Sequence, residues 1–374
     1  MLPAGKSISD AKALRVQRIE EIRTGRFVAP TTTTFGEYAR SWLQTSKRNA
    51  DHQSQTTRGY EAILRVQLEP RIGVLTMQAL AEPVVGHMRL EGLLRELYDR
   101  GSIRKDDNGE NRALSYERVR HARKLLSAVF KRAEKEGVVS VDPMRHTRMP
   151  KRRMHVDYVE RVDQTLTREQ LRSLIAATRE KVELNFLHLG VVLGGVCGLR
   201  IAEVLGLRAR DVNASARTIS IRQTVEPHYD RTAEKGQRVV LRFKEPKSER
   251  SRRTIDDVPA EVFEALDFHL SNVRADRPIG DALLITRPDG STWSPDGFGK
   301  RYVKAARSLG LGGSFHSLRH TCCTLLLEDG IDLATVSRIL GHEKASFTGD
   351  RYAHATARSK RRASASMARM FGAG

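Results

Sequence analysis

Residues 143 to 156 read PMRHTRMPKRRMHV, with five Lys or Arg, two His, two Pro and no acid. Proline fixes φ and has no amide donor, so neither a regular helix nor a central strand runs easily through this stretch, and its positive charges have no local counterion. It therefore reads as an interdomain linker. The 374 residues on its two sides must build separate cores, and the length suits two domains with room for a smaller third element.

Upstream of the linker the apolar residues keep a helical period. Phe35, Tyr38, Ala39, Trp42 and Leu43 share one face, with Thr34 as the N-cap. Further helices are expected over 55–67, 83–100 and 115–136; the last carries a stripe of Val119, Ala122, Leu126, Val129, Phe130 and Ala133 and closes at Gly137. Residues 31–142 thus read as one all-helical domain. Before it, in residues 1–30, the segment 11–27 reads as a short charged helix closed by Gly25 and followed by Pro30 and four Thr.

Downstream, residues 157–374 form the second domain. It opens on a helix capped at Thr167 and a long apolar helix over 181–197. Then the period changes to two: Ile219, Ile221 and Val225 alternate with polar residues, as do Val239, Leu241 and Phe243, and Arg253 to Val258 is a third short candidate. One small antiparallel sheet within 217–258 is expected. Helices resume at Pro259 and continue, apart from an apolar stretch at 282–286 and the turn Asp289-Gly290. The fold class is mainly α with a small antiparallel β-sheet (α+β).

Composition then narrows the partner. The chain holds 65 Lys and Arg against 45 Asp and Glu, a net charge of +20, and its 39% hydrophobic residues place that charge on folded domains rather than on a disordered tail. Nucleic acid is the leading partner, and the linker, through Arg145, Arg148, Lys151, Arg152 and Arg153, reads as lying on a phosphate backbone. The longest apolar run, Leu189 to Leu199, has 11 residues, too few to cross a bilayer at about 20. The N-terminus has no apolar h-region, and the three cysteines, Cys197, Cys322 and Cys323, form no CxxC; export is not expected, and a reducing cytoplasm is.

The sequence has no GxxxxGK[ST] loop, no HExxH and no tight acidic cluster, so no metal or cofactor is expected. Five segments remain. In CGLRIAEVLGL, Arg200 opens a helix with Glu203 at i+3; alone this is a surface ion pair. In FKEPKSERSRRTI, Lys244 and Lys247 stand near a strand turn; alone this is a solvated charge run. In FHSLRH, His316, Arg319 and His320 fall at i, i+3 and i+4, so a helix start would aim all three one way; the histidine pair lacks a third metal ligand at useful spacing. In LGHEKAS, Gly341 is the C′ residue of a helix over 332–340 and His342 follows it; a lone His is usually a polar surface group. In GDRYAH, Tyr352 begins a stretch without acids, and most tyrosines only pack. Each bland reading wins alone. Jointly, a basic chain offers two arginines for a phosphate clamp, a lysine, two histidines and a tyrosine, which together define metal-free phosphoryl transfer. Cations beside the phosphate favour the phenolate of a tyrosine, whose attack gives a phosphotyrosine link, and a lysine ammonium can protonate the leaving hydroxyl.

The segments GLRIAEVLGL, PKSERSRRTI, FHSLRHTCCTLLLEDG and VSRILGHEKASFTGDRYAH resemble those of the tyrosine recombinases, specifically the phage-type integrases, over about residues 31 to 360. The resemblance implies Arg200 and Arg319 as phosphate-clamping arginines, Lys247 as the mobile lysine of the sheet turn, with Lys244 a second candidate, His316 and His342 as the two histidines, Tyr352 as nucleophile and Glu203 as support for the first arginine. It further implies a helical core-binding domain and a catalytic domain closing as a C-shaped clamp on double-stranded DNA, a homotetramer on two attachment sites exchanging strands through a Holliday junction, and a host DNA-bending protein and a directionality factor as partners. Residues 11–27 resemble only the last helix of the family's arm-binding domain. Three rival readings are a type IB topoisomerase-like enzyme, a housekeeping chromosome-dimer recombinase and a catalytically silent DNA-binding protein. The compact FHSLRHT and LGH motifs argue against the first, the N-terminal helix and basic linker against the second, and the full set of six groups against the third.

Overall fold

The computed structural model describes residues 31–48, 54–103, 105, 108–152, 165–229, 239–246, 251–274 and 276–341, with a few isolated positions before residue 24. The chain divides into two compact units, Met1–Asp157 and Tyr158–Gly374. Of the helix expected over 11–27, only Lys12, Arg15, Val16, Ile19, Glu20 and Arg23 are described, each helical.

The first unit is built from α1 (Phe35–Arg48), α2 (Ser54–Ile63), α3 (Glu69–Ile72), α4 (Met77–Leu80), α5 (Val85–Arg100) and α6 (Tyr116–Lys135). Thr34 caps α1 reciprocally: its hydroxyl accepts from the Glu37 amide at 3.3 Å, and the Glu37 carboxylate accepts the Thr34 amide at 3.0 Å. The helix expected over 55–67 runs further, through a π turn at Leu64–Leu68 into α3, and this wider turn leaves Leu64 and Leu68 both buried. Along α6 the whole predicted stripe is fully buried, Phe130 stacks on Phe35 at 6.0 Å between ring centroids, and Gly137 leaves the helix at φ +69°.

The first part of the expected linker belongs to this core. Asp142 accepts from the Met144 amide at 2.9 Å to start a 3₁₀ turn, Pro143–Arg145, and Met144 and Thr147 are buried. Arg123 donates to the carbonyls of Met144 and Thr147 at 3.3 and 3.1 Å, which ties the segment to α6. Arg145 pairs with Glu134 at 2.6 Å, while Arg148 and Lys151 are exposed and Arg152 lies over the Tyr116 ring. Arg153 lies outside the described residues.

The second unit opens on α7 (Arg168–Glu180), whose capping box pairs Thr167 with Gln170. The apolar helix α8 (Asn185–Gly195), preceded by a 3₁₀ turn at Val182–Leu184, is buried from Leu187 onward and forms the centre of the core. A short α9 (Ile201–Val204) leads to the strands β1 (Val212–Asn213), β2 (Thr218–Ile221), β3 (Thr224–Tyr229), β4 (Val239–Lys244) and β5 (Arg253–Ile255), followed by α10 (Ala260–Asn272), α11 (Pro295–Ser308), α12 (Phe315–Glu328) and α13 (Leu333–Leu340). The single expected sheet is two antiparallel sheets, one ordered β1-β2-β5 and the other the hairpin β3-β4. Ile219 and Val225 share a period but not a strand, because the chain breaks between them where the Gln223 side chain donates to the Gly206 carbonyl at 2.8 Å. Ile219 opposite Ile255 and Ile221 opposite Arg253 set the register that matters for the site.

His269 on α10 makes this unit sensitive to acid. Its ring is 1% exposed, and Nε2 donates to the Leu284 carbonyl at 3.2 Å. Burial, with the Leu284 bond opposing and Arg274 assisting, pushes the imidazole down to about 4. The unfolded chain takes up this proton near pH 6.5 and the folded one only near 4, so stability is complete above 6.5 and falls as pH drops through that window, by about 3 kcal/mol for this group. Thermal melts at pH 7, 5.5 and 4.5 are expected to show the decline, and His269→Gln, which keeps a donor but cannot titrate, is expected to flatten it. An unchanged slope in the variant would assign the acid lability elsewhere.

Candidate active site

The site is assembled where the ends of α8 and α13 meet. Gly198 has φ +66°, and a Cβ there would stand 2.2 Å from Leu340 Cδ2, so only glycine turns the chain out of α8 this close to α13. Two residues later Arg200 caps α9. Its amide donates to Glu203 Oε2 at 2.9 Å and its Nη1 to Oε1 at 2.7 Å, the i+3 pairing expected from sequence. A third of the Arg200 side chain stays exposed, whereas Glu203 is buried.

At the other side, Asp332 caps α13 by accepting from the Thr335 amide, and Gly341 ends the helix in the left-handed conformation at φ +66°, ψ +48°. The last carbonyls of a helix have no partner within it and carry its negative dipole end. Three guanidinium groups take three successive carbonyls here, the last two of α13 and that of its capping glycine: Arg253 Nε bonds the Ile339 oxygen at 2.7 Å, Arg319 Nη2 the Leu340 oxygen at 2.5 Å and Arg200 Nη2 the Gly341 oxygen at 3.3 Å. Arg319, 1% exposed, also donates to the Gly198 carbonyl at 2.7 Å and so joins both helix ends. Cys322, Cys323, Leu327, Val336 and Leu340 form a small apolar cluster that fastens α12 to α13 beneath it.

Three arginines around one carboxylate leave a surplus of two positive charges. Burial pushes the Arg319 guanidinium down to about 9, with Arg200 adding repulsion, so it is still cationic at neutral pH. Burial alone would raise the Glu203 carboxyl, but Arg253 and then Arg200 outweigh it and hold the group below the usual carboxylate range. An anion with two or more oxygens fits such a site, and the exposed part of Arg200 is the accessible donor.

The other expected residues are distributed as follows. His316 is on the surface of α12, its ring 4.6 Å from that of His320 at 82°. Along α12, Arg319 is buried and its long side chain reaches carbonyls of two other elements, whereas His316 is exposed and His320 half-buried. Lys244, at the end of β4, is ion-paired across the hairpin with Glu226. Lys247, His342 and Tyr352 lie outside the described residues; Gly341 is the residue directly before His342. Sequence reasoning missed Arg253, whose signal was an arginine on the same strand face as Ile255, one of the residues packed against the core. Among the described residues no group of three or more His, Cys, Asp and Glu is placed to hold a metal ion, and no helix is long and apolar enough to cross a membrane.

Comparison with known proteins gives a consistent picture. The phage integrase family model matches residues 164–359. A tyrosine recombinase XerC-like protein of Caldanaerobacter subterraneus subsp. tengcongensis is 22% identical over 367 residues, covering 95% of this chain and 88% of that protein. The transposase from transposon Tn916 of Enterococcus faecalis is 25% identical over 266 residues, covering 68% of this chain and 62% of its own length. Among solved structures, the Tn1549 transposon integrase in complex with a circular intermediate DNA superposes with a TM-score of 0.69 at 18% identity, covering 90% of this chain and 99% of that one. A lambda integrase dimer bound to a COC′ core site gives 0.59 at 14% identity, covering 86% and 95%.

Proposed function

The chain belongs to the phage integrase family, whose tyrosine recombinases cut and rejoin DNA, and from that premise we propose that it recombines double-stranded DNA at specific sites, integrating or excising a mobile element through a covalent 3′-phosphotyrosine intermediate. One observation carries the reading: Arg200 and Arg319, distant in sequence, converge on adjacent carbonyls at the end of α13, immediately before His342. In this reading the scissile phosphate takes the place of the weak Gly341 contact on Arg200, and the surplus positive charge stabilises the phosphorane-like transition state. Tyr352 Oη attacks phosphorus and its proton passes to an imidazole, His316 or His342. The bond to the 5′ oxygen breaks, and Lys247 supplies that oxygen with a proton. Glu203 holds Arg200 in place. The protein acts in the cytoplasm as a homotetramer on two attachment sites, with a host DNA-bending protein and a directionality factor as further partners.

The test is an adduct assay. Nicked duplexes made from the DNA flanking the gene are incubated with the protein, and a protease-sensitive covalent protein–DNA species is expected. Failure to form one on any duplex that the protein binds would leave a DNA-binding protein without strand chemistry.

The exposed basic residues of the first unit, Arg148, Lys151 and Arg152 among them, should make binding steeply salt-dependent, each neutralised phosphate adding about −0.9 to the slope of log K against log salt. Arg152→Ala with Arg153→Ala is expected to flatten the slope by about 2 with sequence preference kept, since such contacts position rather than specify. Arg145→Ala should change it less, because Arg145 already pairs with Glu134. Fluorescence anisotropy titrations across a salt series read all three slopes.

A further inference from the structure

Arg253 joins two parts of the arginine site, the Glu203 carboxylate and the end of α13. Its side chain is 8% exposed. Nε is used by the Ile339 carbonyl, Nη1 by Glu203 Oε1 at 3.3 Å and the Ser251 carbonyl at 3.3 Å, and Nη2 by Glu203 Oε2 at 3.2 Å. A carboxylate has about four acceptor positions. Glu203 receives four donors, two from Arg200 and two from Arg253, so its capacity is filled and shared equally between them.

We propose that Arg253 is a positioning residue for DNA cleavage: by occupying half of Glu203 and tethering the end of α13, it holds the Arg200 guanidinium in place and keeps the Arg200 charge available to the scissile phosphate. The inference rests on the preceding assignment of Arg200 to that phosphate. Its logic is electrostatic. A buried carboxylate paired with Arg200 alone would cancel that arginine's charge; a second buried arginine on the same carboxylate leaves one positive charge over, and it resides on Arg200, the exposed member. The Arg253 fork on both Glu203 oxygens also fixes the plane of the carboxylate, and with it the direction from which Arg200 is held. Because β5 carries Arg253 and pairs with β2, the small sheet braces the site.

A methylphosphonate at the cleaved position carries no charge on its non-bridging oxygen and so does not need the Arg200 cation. Full-length protein is tested on a nicked duplex on which it forms the adduct, with either a phosphodiester or a methylphosphonate at that position. Arg253→Met is expected to slow adduct formation roughly 10- to 100-fold on the phosphodiester, the scale of a misplaced catalytic group, and to differ little from the parent chain on the methylphosphonate. Adding Glu203→Gln to Arg253→Met is expected to restore part of the phosphodiester rate, since the carboxylate that then cancels the Arg200 charge is gone. Arg253→Lys keeps the buried cation without the two-pronged grip and supplies the same substrate comparison if the Met variant does not fold. Equal loss on both substrates, or no loss on the phosphodiester, would overturn the proposal. The parent chain and Arg200→Ala test the underlying assignment separately: an Arg200→Ala variant equally impaired on both substrates would remove Arg200 from the phosphate, and Arg253's role with it.

Discussion

Tyr352→Phe is expected to form no detectable covalent adduct on a nicked duplex that traps the parent protein, a loss of at least about 10⁴-fold, with DNA affinity nearly unchanged. The substitution removes one oxygen and leaves the ring, so neither packing nor phosphate contacts should change. The chemistry of the site explains why a phenol can serve. An ordinary tyrosine ionises near pH 10 and is a poor nucleophile at neutrality, but on the proposed assignment, in which Tyr352 attacks the phosphate held by Arg200, the surplus charge of Arg200, Arg253 and Arg319 over Glu203 favours its anion at the moment of attack. The second unit offers a counter-example. Tyr302 on α11 is fully buried, its hydroxyl has no hydrogen-bond partner, and burial pushes it up to about 12, so it can neither reach DNA nor ionise. Tyr302→Phe should therefore retain the adduct. Persistence of the adduct in Tyr352→Phe, read by denaturing gel after quenching, would move the nucleophile to another residue.

How far such a site can be read from sequence depends on the distance over which each part is determined. The caps at Thr34, Thr167 and Gly341 were legible because capping involves residues three or four apart. The Arg200–Glu203 pair was legible for the same reason. The Arg253–Glu203 pair spans 50 residues and exists only because β5 pairs with β2, a register that no local pattern specifies. The division into two sheets was hidden because Ile219, Ile221 and Val225 keep one period across a break, and the π turn at Leu64–Leu68 because its apolar spacing still looks helical. In the segment 143–156, basic residues and prolines indicated a solvated linker, but Met144 and Thr147 are drawn into the first core by the Asp142 cap and the carbonyl contacts of Arg123. Composition describes the average of a segment; burial is decided residue by residue.

Lys247→Ala is expected to slow cleavage by roughly 10²- to 10⁴-fold, the usual reach of general acid catalysis, while binding changes little. The departing 5′ oxygen would otherwise leave as an alkoxide, a very poor leaving group, and a lysine ammonium near the strand turn can protonate it. Two lysines compete for this role. Lys244 closes β4 and is ion-paired with Glu226 across the hairpin, which limits its reach. Lys247 follows Pro246, beyond the end of the strand, and is the better candidate. A 5′-bridging phosphorothiolate separates protonation from every other contribution, because a thiolate departs without a proton. On that substrate Lys247→Ala should recover most of its lost rate, whereas Arg200→Ala should not, since its defect is charge on the phosphate rather than on the leaving group. If instead Lys244→Ala shows the rescue and Lys247→Ala cleaves the ordinary substrate at the parent rate, the acid is Lys244, and the Glu226 pair must open when DNA binds.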